Sequence, residues 1–263
     1  MAVVVYDTIR CAGQLRLLMK TAPLLFSTLL CLQLAAAFGN AQSNANCAPA
    51  QEQLKAAEQA ASQNDPAAAA SRYEEAVRIA PSCVEALVNL GAVYNRLNRP
   101  DDAIAAFQQA VSRNPQLFAA HLNLGITYFR TRRFDLARDS LRAALKLDPQ
   151  NAQARQLLAL ALIATEEFKD AAVELEQLVK VTPNDVNILS ALGEIYLRLK
   201  RYPDAVATLD KAAQLAPEIA KTHMLLGEAL DNASQSDRAI EEFQRAIKLD
   251  ASLKEAHYAL GHV

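Results

Sequence analysis

The sequence predicts an all-α fold, a superhelical α-solenoid of about six 34-residue helix-turn-helix units followed by one further helix. Three ladders of residues that share this period support the prediction. They are a Leu-Gly pair at Leu90-Gly91, Leu124-Gly125, Leu192-Gly193, Leu226-Gly227 and Leu260-Gly261, an alanine at Ala69, Ala103, Ala137, Ala171, Ala205 and Ala239, and a proline at Pro81, Pro115, Pro149, Pro183 and Pro217. Several ladders in one register identify a repeat protein, because composition alone does not produce a shared period.

Each unit is predicted to contain two amphipathic helices. Apolar residues fall at helical spacing, as in Leu87, Leu90 and Tyr94 and then in Ala103 and Phe107. A bulky residue recurs at the last of these positions, at Tyr73, Phe107, Leu141, Leu175, Leu209 and Phe243. It is expected to fill the space beside the small residue of the Leu-Gly pair. Proline ends the second helix, because it disfavours a helical residue before it and has no N–H to donate.

The units are predicted to start at Ala50, Val84, Phe118, Ala152, Val186 and Ala220, so that the solenoid occupies residues 50–263. The first unit is the most degenerate, with Ala56-Ala57 in place of Leu-Gly. Its first helix is rich in Gln, Glu and Ala, which suits a terminal repeat with one face in water. A partial seventh unit starts at Lys254, and two interpretations of it stay open: a capping helix, or part of a longer array.

These residues resemble the tetratricopeptide repeat (TPR), whose signature is Trp-x-x-Leu-Gly-x-x-Tyr, then Ala-x-x-x-Phe, then Pro. The resemblance extends from Ala50 to Val263. The family's Trp position departs from the signature and holds Leu87, His121, Arg155, Leu189, His223 and His257. The resemblance implies the TPR fold, and this departure leaves that expectation unchanged.

The first forty residues do not share the repeat. Thr21 to Gly39 is an uncharged apolar run that follows Lys20 and leads into small residues. This pattern predicts a signal peptide over residues 1–41, cleaved before Gln42, with Met19 as an alternative true start. A polar linker, residues 42–49, would follow. The chain is therefore expected to be periplasmic or secreted. The alternative is an uncleaved segment that anchors the chain to the inner membrane, the only membrane contact expected.

Two cysteines, Cys47 and Cys83, remain after the predicted cleavage, and they flank the first unit. An antiparallel helix pair brings its two ends together, so an oxidising compartment favours a disulfide between them. Such a bond would stabilise the most degenerate repeat by roughly 2–4 kcal/mol. The alternative is two free thiols.

The sequence offers little support for catalysis. The mature glycines all occupy the Leu-Gly position, so none remains for a phosphate-binding loop or a nucleophile elbow. No His-Glu-x-x-His or Cys-x-x-Cys motif occurs. His121, His223 and His257 share one repeat position and are interpreted as packing residues rather than metal ligands. The sequence therefore predicts no enzyme, no cofactor, no metal site and no small-molecule substrate.

The resemblance implies a concave groove lined by the second, fifth, sixth, ninth, twelfth and thirteenth residues of each unit. Asn89 and Asn123 occupy the sixth position of two successive units. An amide side chain can both donate to and accept from a peptide main chain. We expect these two residues to bind a peptide. An equally open alternative is that they are solvated helix residues.

The predicted groove is graded in charge. Arg96 and Arg130 share the thirteenth position of the early units, whereas Glu194 and Glu228 lie in later ones. This grading predicts that a bound segment places acidic residues at repeats two and three and its basic end toward repeats five and six. The alternative is that these charges serve solubility.

The function that the sequence predicts is a non-catalytic scaffold in the cell envelope that binds another protein or a peptide segment in the concave groove. The net charge of −2 gives no basic surface for nucleic acid. Two alternatives stay open: a structural subunit of an envelope, secretion or pilus assembly, and a regulatory TPR fragment of a larger enzyme.

Overall fold

The computed structural model describes residues 46–263. The predicted signal peptide and the first residues of the linker lie outside the described residues. The described residues divide into two compact units, the first ending at Val93 and the second running from Tyr94 to Val263, and the boundary falls inside a helix. Each unit has its own packing.

The described residues form thirteen α-helices, one short 3-10 helix and no β-strand, which confirms the predicted all-α solenoid class. A 3-10 helix, Ala48–Ala50, comes first. The helices are α1 Gln51–Ser62, α2 Pro66–Ile79, α3 Val84–Arg96, α4 Pro100–Arg113, α5 Phe118–Arg130, α6 Phe134–Leu147, α7 Ala152–Ala164, α8 Phe168–Val181, α9 Val186–Arg198, α10 Tyr202–Leu215, α11 Ala220–Asn232, α12 Ser236–Leu249 and α13 Lys254–Leu260. From α3 onward, every odd-numbered helix begins at a residue where the sequence places the start of a repeat.

A residue with a positive φ recurs in the turn inside each repeat, and the sequence did not predict it. One residue per turn has a positive φ of 55–60°, although none of the six is glycine: Asn64, Asn98, Arg132, Glu166, Lys200 and Ser234. The residue after it donates its backbone N–H to a carbonyl five residues earlier, as in Arg133 to Tyr128 at 2.9 Å. This left-handed residue and its hydrogen bond end the first helix of each repeat, as in a Schellman motif.

Close packing of the two helices within a repeat explains the Leu-Gly ladder. A Cβ atom added at Gly193 would lie 2.4 Å from Cγ of Leu209, and one added at Gly227 would lie 2.6 Å from Cε1 of Phe243. Real Cβ atoms do not approach other carbons so closely. Glycine therefore lets the bulky residue of the second helix contact the backbone of the first.

The core of the second unit is continuous through its later repeats. Large side chains from successive helices pack together there, among them Leu175, Leu192, Leu209, Leu226 and Phe243. Because each repeat contributes similar residues to its neighbours, the core is a seam along the stacked helices, as in other repeat proteins.

A disulfide closes the first unit. The Sγ atoms of Cys47 and Cys83 lie 2.11 Å apart and the Cα atoms 4.7 Å apart. The bond connects the residue before the 3-10 helix to the residue before α3. Both cysteines are buried.

The helices of the described region are too short and too polar to cross a membrane.

Candidate peptide-binding groove

The first helices of several successive repeats lie side by side in the second unit. Contacts join α5 to α7, α9 to α11, and α11 to α13. The first helices α5 and α7 therefore present one shared face, the first helices α9, α11 and α13 present another, and residues on these two faces are the candidate surface.

A depression of about 410 Å³ lies between α9 and α11. Most of its lining comes from the repeat positions that the TPR resemblance assigns to a groove, and a few residues come from the adjoining turn. The lining residues are Glu194, Leu197, Arg198, Lys200, Tyr202, Lys221, Met224, Leu225, Glu228 and Asn232. A second depression of about 250 Å³ shares Glu194 and Lys221 with it, so the two are continuous. We call this surface the α9–α11 depression.

The charges of the α9–α11 depression are mixed rather than uniformly acidic. Lys221 Nζ donates to a carboxylate oxygen of Glu194 at 3.0 Å, which neutralises one of the two predicted acidic residues. Glu228 makes no ion pair with any other described residue, and neither does Arg198. The depression therefore combines two carboxylates, of which Glu194 is ion-paired, with three cations, Arg198, Lys200 and Lys221.

Glu228 has an unusual electrostatic environment. Desolvation by the surrounding side chains raises the pKa of its carboxyl, and the negative charge of Glu194 adds to the rise. Arg198 acts in the opposite direction. Glu228 is exposed and is influenced both by a like charge and by an opposite charge, so it is a polar position on the groove surface.

The groove surface is apolar one repeat earlier, on α7. Leu160 is 40% exposed at the ninth position of its repeat, which is the position of Glu194 and Glu228 in the next two. Leu157, one turn before it, is half-buried. The floor of the candidate groove therefore changes from apolar on α7 to charged on α9 and α11.

Asn123 and Arg130 lie on α5, seven residues apart and hence on one face. The Asn123 side chain is half-buried and makes no hydrogen bond to any other described residue. Arg130 is exposed and likewise makes no ion pair within residues 46–263. These two predicted residues are available to a ligand.

A polar pair lies beside Asn123. Asn95 Nδ2 donates to Thr127 Oγ1 at 2.8 Å, and this hydroxyl donates to the Asn123 carbonyl at 2.7 Å. The Oδ1 atom of Asn95 is buried and has no hydrogen-bond partner within the described part of the chain. Arg96, the neighbouring residue, is exposed at the end of α3.

Asn89 lies in the first unit, where its side chain donates a hydrogen bond to the Tyr73 hydroxyl. Burial raises the pKa of Tyr73, and this hydrogen bond partly offsets the rise. An amide has a second N–H and an oxygen, so the binding of a peptide by Asn89 and Asn123 stays a prediction.

The histidines at the family's Trp position bind the preceding loop. Each places Nε2 near the carbonyl oxygen six residues earlier: His121 at 2.9 Å, His223 at 2.9 Å and His257 at 3.1 Å. His223 is also buried against Glu242, with Nδ1 2.6 Å from Oε2. Within residues 46–263 no cluster of side chains has the composition of a metal site. In these three repeats the histidine therefore connects the first helix to the loop before it.

The fold and the repeat geometry define a TPR solenoid protein. A family model, the cilia and flagella-associated protein 70 C-terminal domain, matches residues 17–260. The chain belongs to this TPR family. A comparison with curated proteins found no match.

Solved structures with the same fold include other TPR proteins. YrrB, "a TPR protein with an unusual peptide-binding site", superposes with a TM-score of 0.66 at 18% identity, covering 71% of this chain and 96% of YrrB. MamA from Desulfovibrio magneticus RS-1 superposes with a TM-score of 0.57 at 22% identity, and the match covers 65% of this chain and 96% of MamA. MamA AMB-1 superposes with a TM-score of 0.59 at 21% identity, and the match covers 64% of this chain and 92% of MamA. At these identities the likeness establishes the fold.

Sequence reasoning missed part of the site. It did not single out Lys221, Met224 or Asn232, although each occupies an expected groove position. Comparison of the second and fifth positions across repeats would have found the first two. No sequence signal indicates the ion pair between Lys221 and Glu194, because it depends on how closely α11 approaches α9.

Proposed function

We propose that this protein is a non-catalytic scaffold that binds a peptide segment of another protein along the first helices of its second unit. The observation that carries this proposal is the α9–α11 depression, because groove positions of two successive repeats line it together. The first helices α5 and α7 add the exposed Leu160 and the side chains of Asn123 and Arg130, which make no hydrogen bond or ion pair among the described residues.

The chemistry of the described residues supports binding rather than turnover. In the groove, Glu194 pairs with Lys221, and Glu228 is exposed on the surface. General acid–base catalysis requires titratable groups that converge on one reacting atom. A peptide, by contrast, needs an extended surface with separated polar and apolar anchors, which this groove supplies.

Selection of random 12-residue peptides displayed on phage against the immobilised full chain tests the proposal. Leu160→Arg should abolish binding of the selected peptides, because it places a charged side chain on the apolar floor. Val173→Arg is the matched control: Val173 is 52% exposed on α8, the second helix of the same repeat. Loss of binding with Val173→Arg but not with Leu160→Arg would move the binding surface to the second helices and overturn the proposal.

We also propose that the chain is exported and works in the cell envelope. The support is the apolar run from Thr21 to Gly39 together with Cys47 and Cys83, which lie at bonding distance in the folded first unit. Fractionation of cells expressing the full gene should recover a chain that begins at Gln42 outside the cytoplasm. Recovery of the uncleaved chain in the cytosol would contradict this proposal.

A further inference from the structure

We propose that repeat six contains a pH-sensitive contact in which His223, protonated at both ring nitrogens, joins the start of α11 to α12 and to the loop before α11. His223 lies in the first turn of α11, Glu242 lies on α12, and Pro217 lies in the loop between α10 and α11. We call this the His223–Glu242 contact. The inference does not rest on the proposed function, because it concerns how the second unit is held together.

Both ring nitrogens of His223 face oxygen atoms. Nε2 lies 2.9 Å from the carbonyl oxygen of Pro217, and Nδ1 lies 2.6 Å from Oε2 of Glu242. The His223 and Glu242 side chains are only 5% and 12% exposed, so water does not readily replace either partner. A carbonyl oxygen only accepts hydrogen bonds, so Nε2 carries a hydrogen. A second hydrogen lies between Nδ1 and Oε2, because two acceptors without one would repel each other at this distance.

The surroundings of Glu242 place this second hydrogen on the imidazole ring. Arg245 on α12 donates to Oε1 of Glu242 at 3.0 Å, so the carboxylate already receives a hydrogen bond from a cation. His223 is therefore a cation between two oxygen atoms, one of which belongs to a carboxylate.

Other charged groups lie on α11, on the helices packed against it and in the loop before it. Within the described chain none of them makes a hydrogen bond or ion pair with His223 or Glu242. These residues are Glu194 and Arg198 on α9, Asp204, Asp210 and Lys211 on α10, Glu218 in the loop, Lys221, Glu228 and Asp231 on α11, Asp237, Arg238, Glu241 and Lys248 on α12, and Lys254, Glu255 and His257 on α13. The charge balance of the contact is therefore set by His223, Glu242 and Arg245.

Loss of the proton from His223 removes one of its two hydrogen bonds. A neutral imidazole has a single N–H, so it can donate either to Pro217 or to Glu242 but not to both. The oxygen that loses its donor is then left in a largely buried site, which is unfavourable. Because the folded contact holds a proton that a histidine in water releases around pH 6.5, its contribution to stability is full below that pH and is lost as the pH rises further.

Repeat four has the same contact with an arginine in place of the histidine. Arg155 and His223 are equivalent residues, and in both repeats the glutamate follows 19 residues later, as Glu174 and Glu242. Arg155 donates to Glu174 at 2.5 Å and to the Pro149 carbonyl oxygen at 2.5 Å. A guanidinium keeps its charge and has enough N–H groups for both oxygens. Repeat four is therefore the pH-independent counterpart of repeat six.

The His223–Glu242 contact involves the same helix that lines the α9–α11 depression. Lys221 and Met224, on either side of His223 in the sequence, both contribute to that lining. We therefore expect weaker attachment of the start of α11 above neutral pH to loosen one wall of the depression.

Hydrogen exchange of the full chain at about pH 6 and about pH 8.5, followed by mass spectrometry, tests the inference. Rates are corrected for the intrinsic pH dependence of exchange, and the start of α7 serves as the internal reference. At the higher pH, amides at the start of α11 should exchange at least about tenfold faster relative to that reference, because a charge-assisted hydrogen bond is lost. His223→Arg reproduces the pairing of repeat four and should abolish the acceleration. No acceleration in the unaltered chain, or the same acceleration in His223→Arg, would overturn the inference.

His121→Arg is the matched control. Nε2 of His121 lies 2.9 Å from the Pro115 carbonyl oxygen, but Ser140 occupies the position of Glu242, so one N–H satisfies that contact. This variant should leave the acceleration at α11 in place, and its disappearance there would contradict the assignment to His223.

Nuclear magnetic resonance of the imidazole nitrogens gives a second measurement, which needs no variant. At about pH 7.5, where a histidine in water is mostly neutral, His223 should carry two N–H groups. A single N–H on His223 at that pH would overturn the inference.

Discussion

Each of the two units of the chain is stabilised internally in a different way. The described core of the first unit combines alanines, such as Ala57, Ala69 and Ala76, with a few larger side chains, and a disulfide joins its ends. In the core of the second unit, alanines are accompanied by leucine and phenylalanine that fill the spaces between helices, as Leu209 and Phe243 do. The first unit therefore has a covalent link in addition to packing. The second unit depends on close packing between its helices.

The largest predicted effect is the loss of one large core side chain in the second unit. Phe243 is 1% exposed and fills the space beside Gly227. Phe243→Ala should lower the free energy of unfolding by about 3–5 kcal/mol, because it removes the side chain and leaves a cavity. Urea denaturation measures the change. Val173→Ala, at an exposed site, should cost less than about 1 kcal/mol, and an equal loss in both variants would contradict the packing account.

Removal of the disulfide comes next. Cys47→Ser should destabilise the first unit by roughly 2–4 kcal/mol, because the open unfolded chain has more conformations. Hydrogen exchange in α1 and α2 measures the loss, and Phe243→Ala serves as the contrasting variant with its main effect in the second unit. Two alkylatable thiols in the folded, non-reduced protein would show that the bond does not form.

An added methyl group tests the close packing of the second unit. Gly193→Ala should cost about 1–3 kcal/mol, because the new Cβ would lie 2.4 Å from Leu209 Cγ. Repeat four has Ala159 at the equivalent position. There, Ala159→Gly should cost about 1 kcal/mol through lower helix propensity. The double variant Gly193→Ala/Leu209→Ala should lose less unfolding free energy than the sum of the losses in the two single variants. Losses that add strictly would indicate that the two residues do not contact each other.

Substitution of a left-handed turn residue by glycine is expected to change the free energy of unfolding by a smaller amount and in the opposite direction. Glu166 has a φ of 59° in the turn after α7, a conformation that glycine adopts without steric cost. Glu166→Gly should therefore stabilise the second unit, by at most about 1 kcal/mol. Gln156→Gly, at an exposed position inside α7, should destabilise it by a similar amount. Thermal unfolding compares the two, and destabilisation by both would contradict the turn geometry.

The smallest effect concerns pH. Because the pKa of Glu228 is raised in the folded chain, the folded state binds its proton more tightly than the unfolded state does. Its contribution to stability therefore falls as pH rises through that pKa. Glu228→Gln should make the unfolding free energy slightly less dependent on pH between about pH 4 and 7. Urea titrations at several pH values measure the difference. A steeper fall in the variant would contradict the sign.

The period and the helix pairs were predictable from the sequence because each repeat uses the same local rules. Leu-Gly, the alanine ladder and the prolines fix where helices begin, pack and end, and the observed starts at Val84 and Phe118 follow the period. The left-handed turn ladder was not predictable in this way. Asparagine, which commonly marks this conformation, occurs only in the first two turns, at Asn64 and Asn98, and the other four turns have residues such as Arg132 and Lys200.

The sequence by itself determined the all-α repeat class, the register of the helices and the identity of the residues at groove positions. Only the tertiary structure decided which of those side chains have partners within the described part of the chain. The approach of α11 to α9 pairs Lys221 with Glu194, whereas Glu228 has no ion pair among the described residues. The Asn89 side chain hydrogen-bonds to Tyr73, whereas the Asn123 side chain makes no hydrogen bond within residues 46–263. The physical reason is that a repeat fixes each residue's position on its own helix, while its partners depend on the distances between helices that only packing sets.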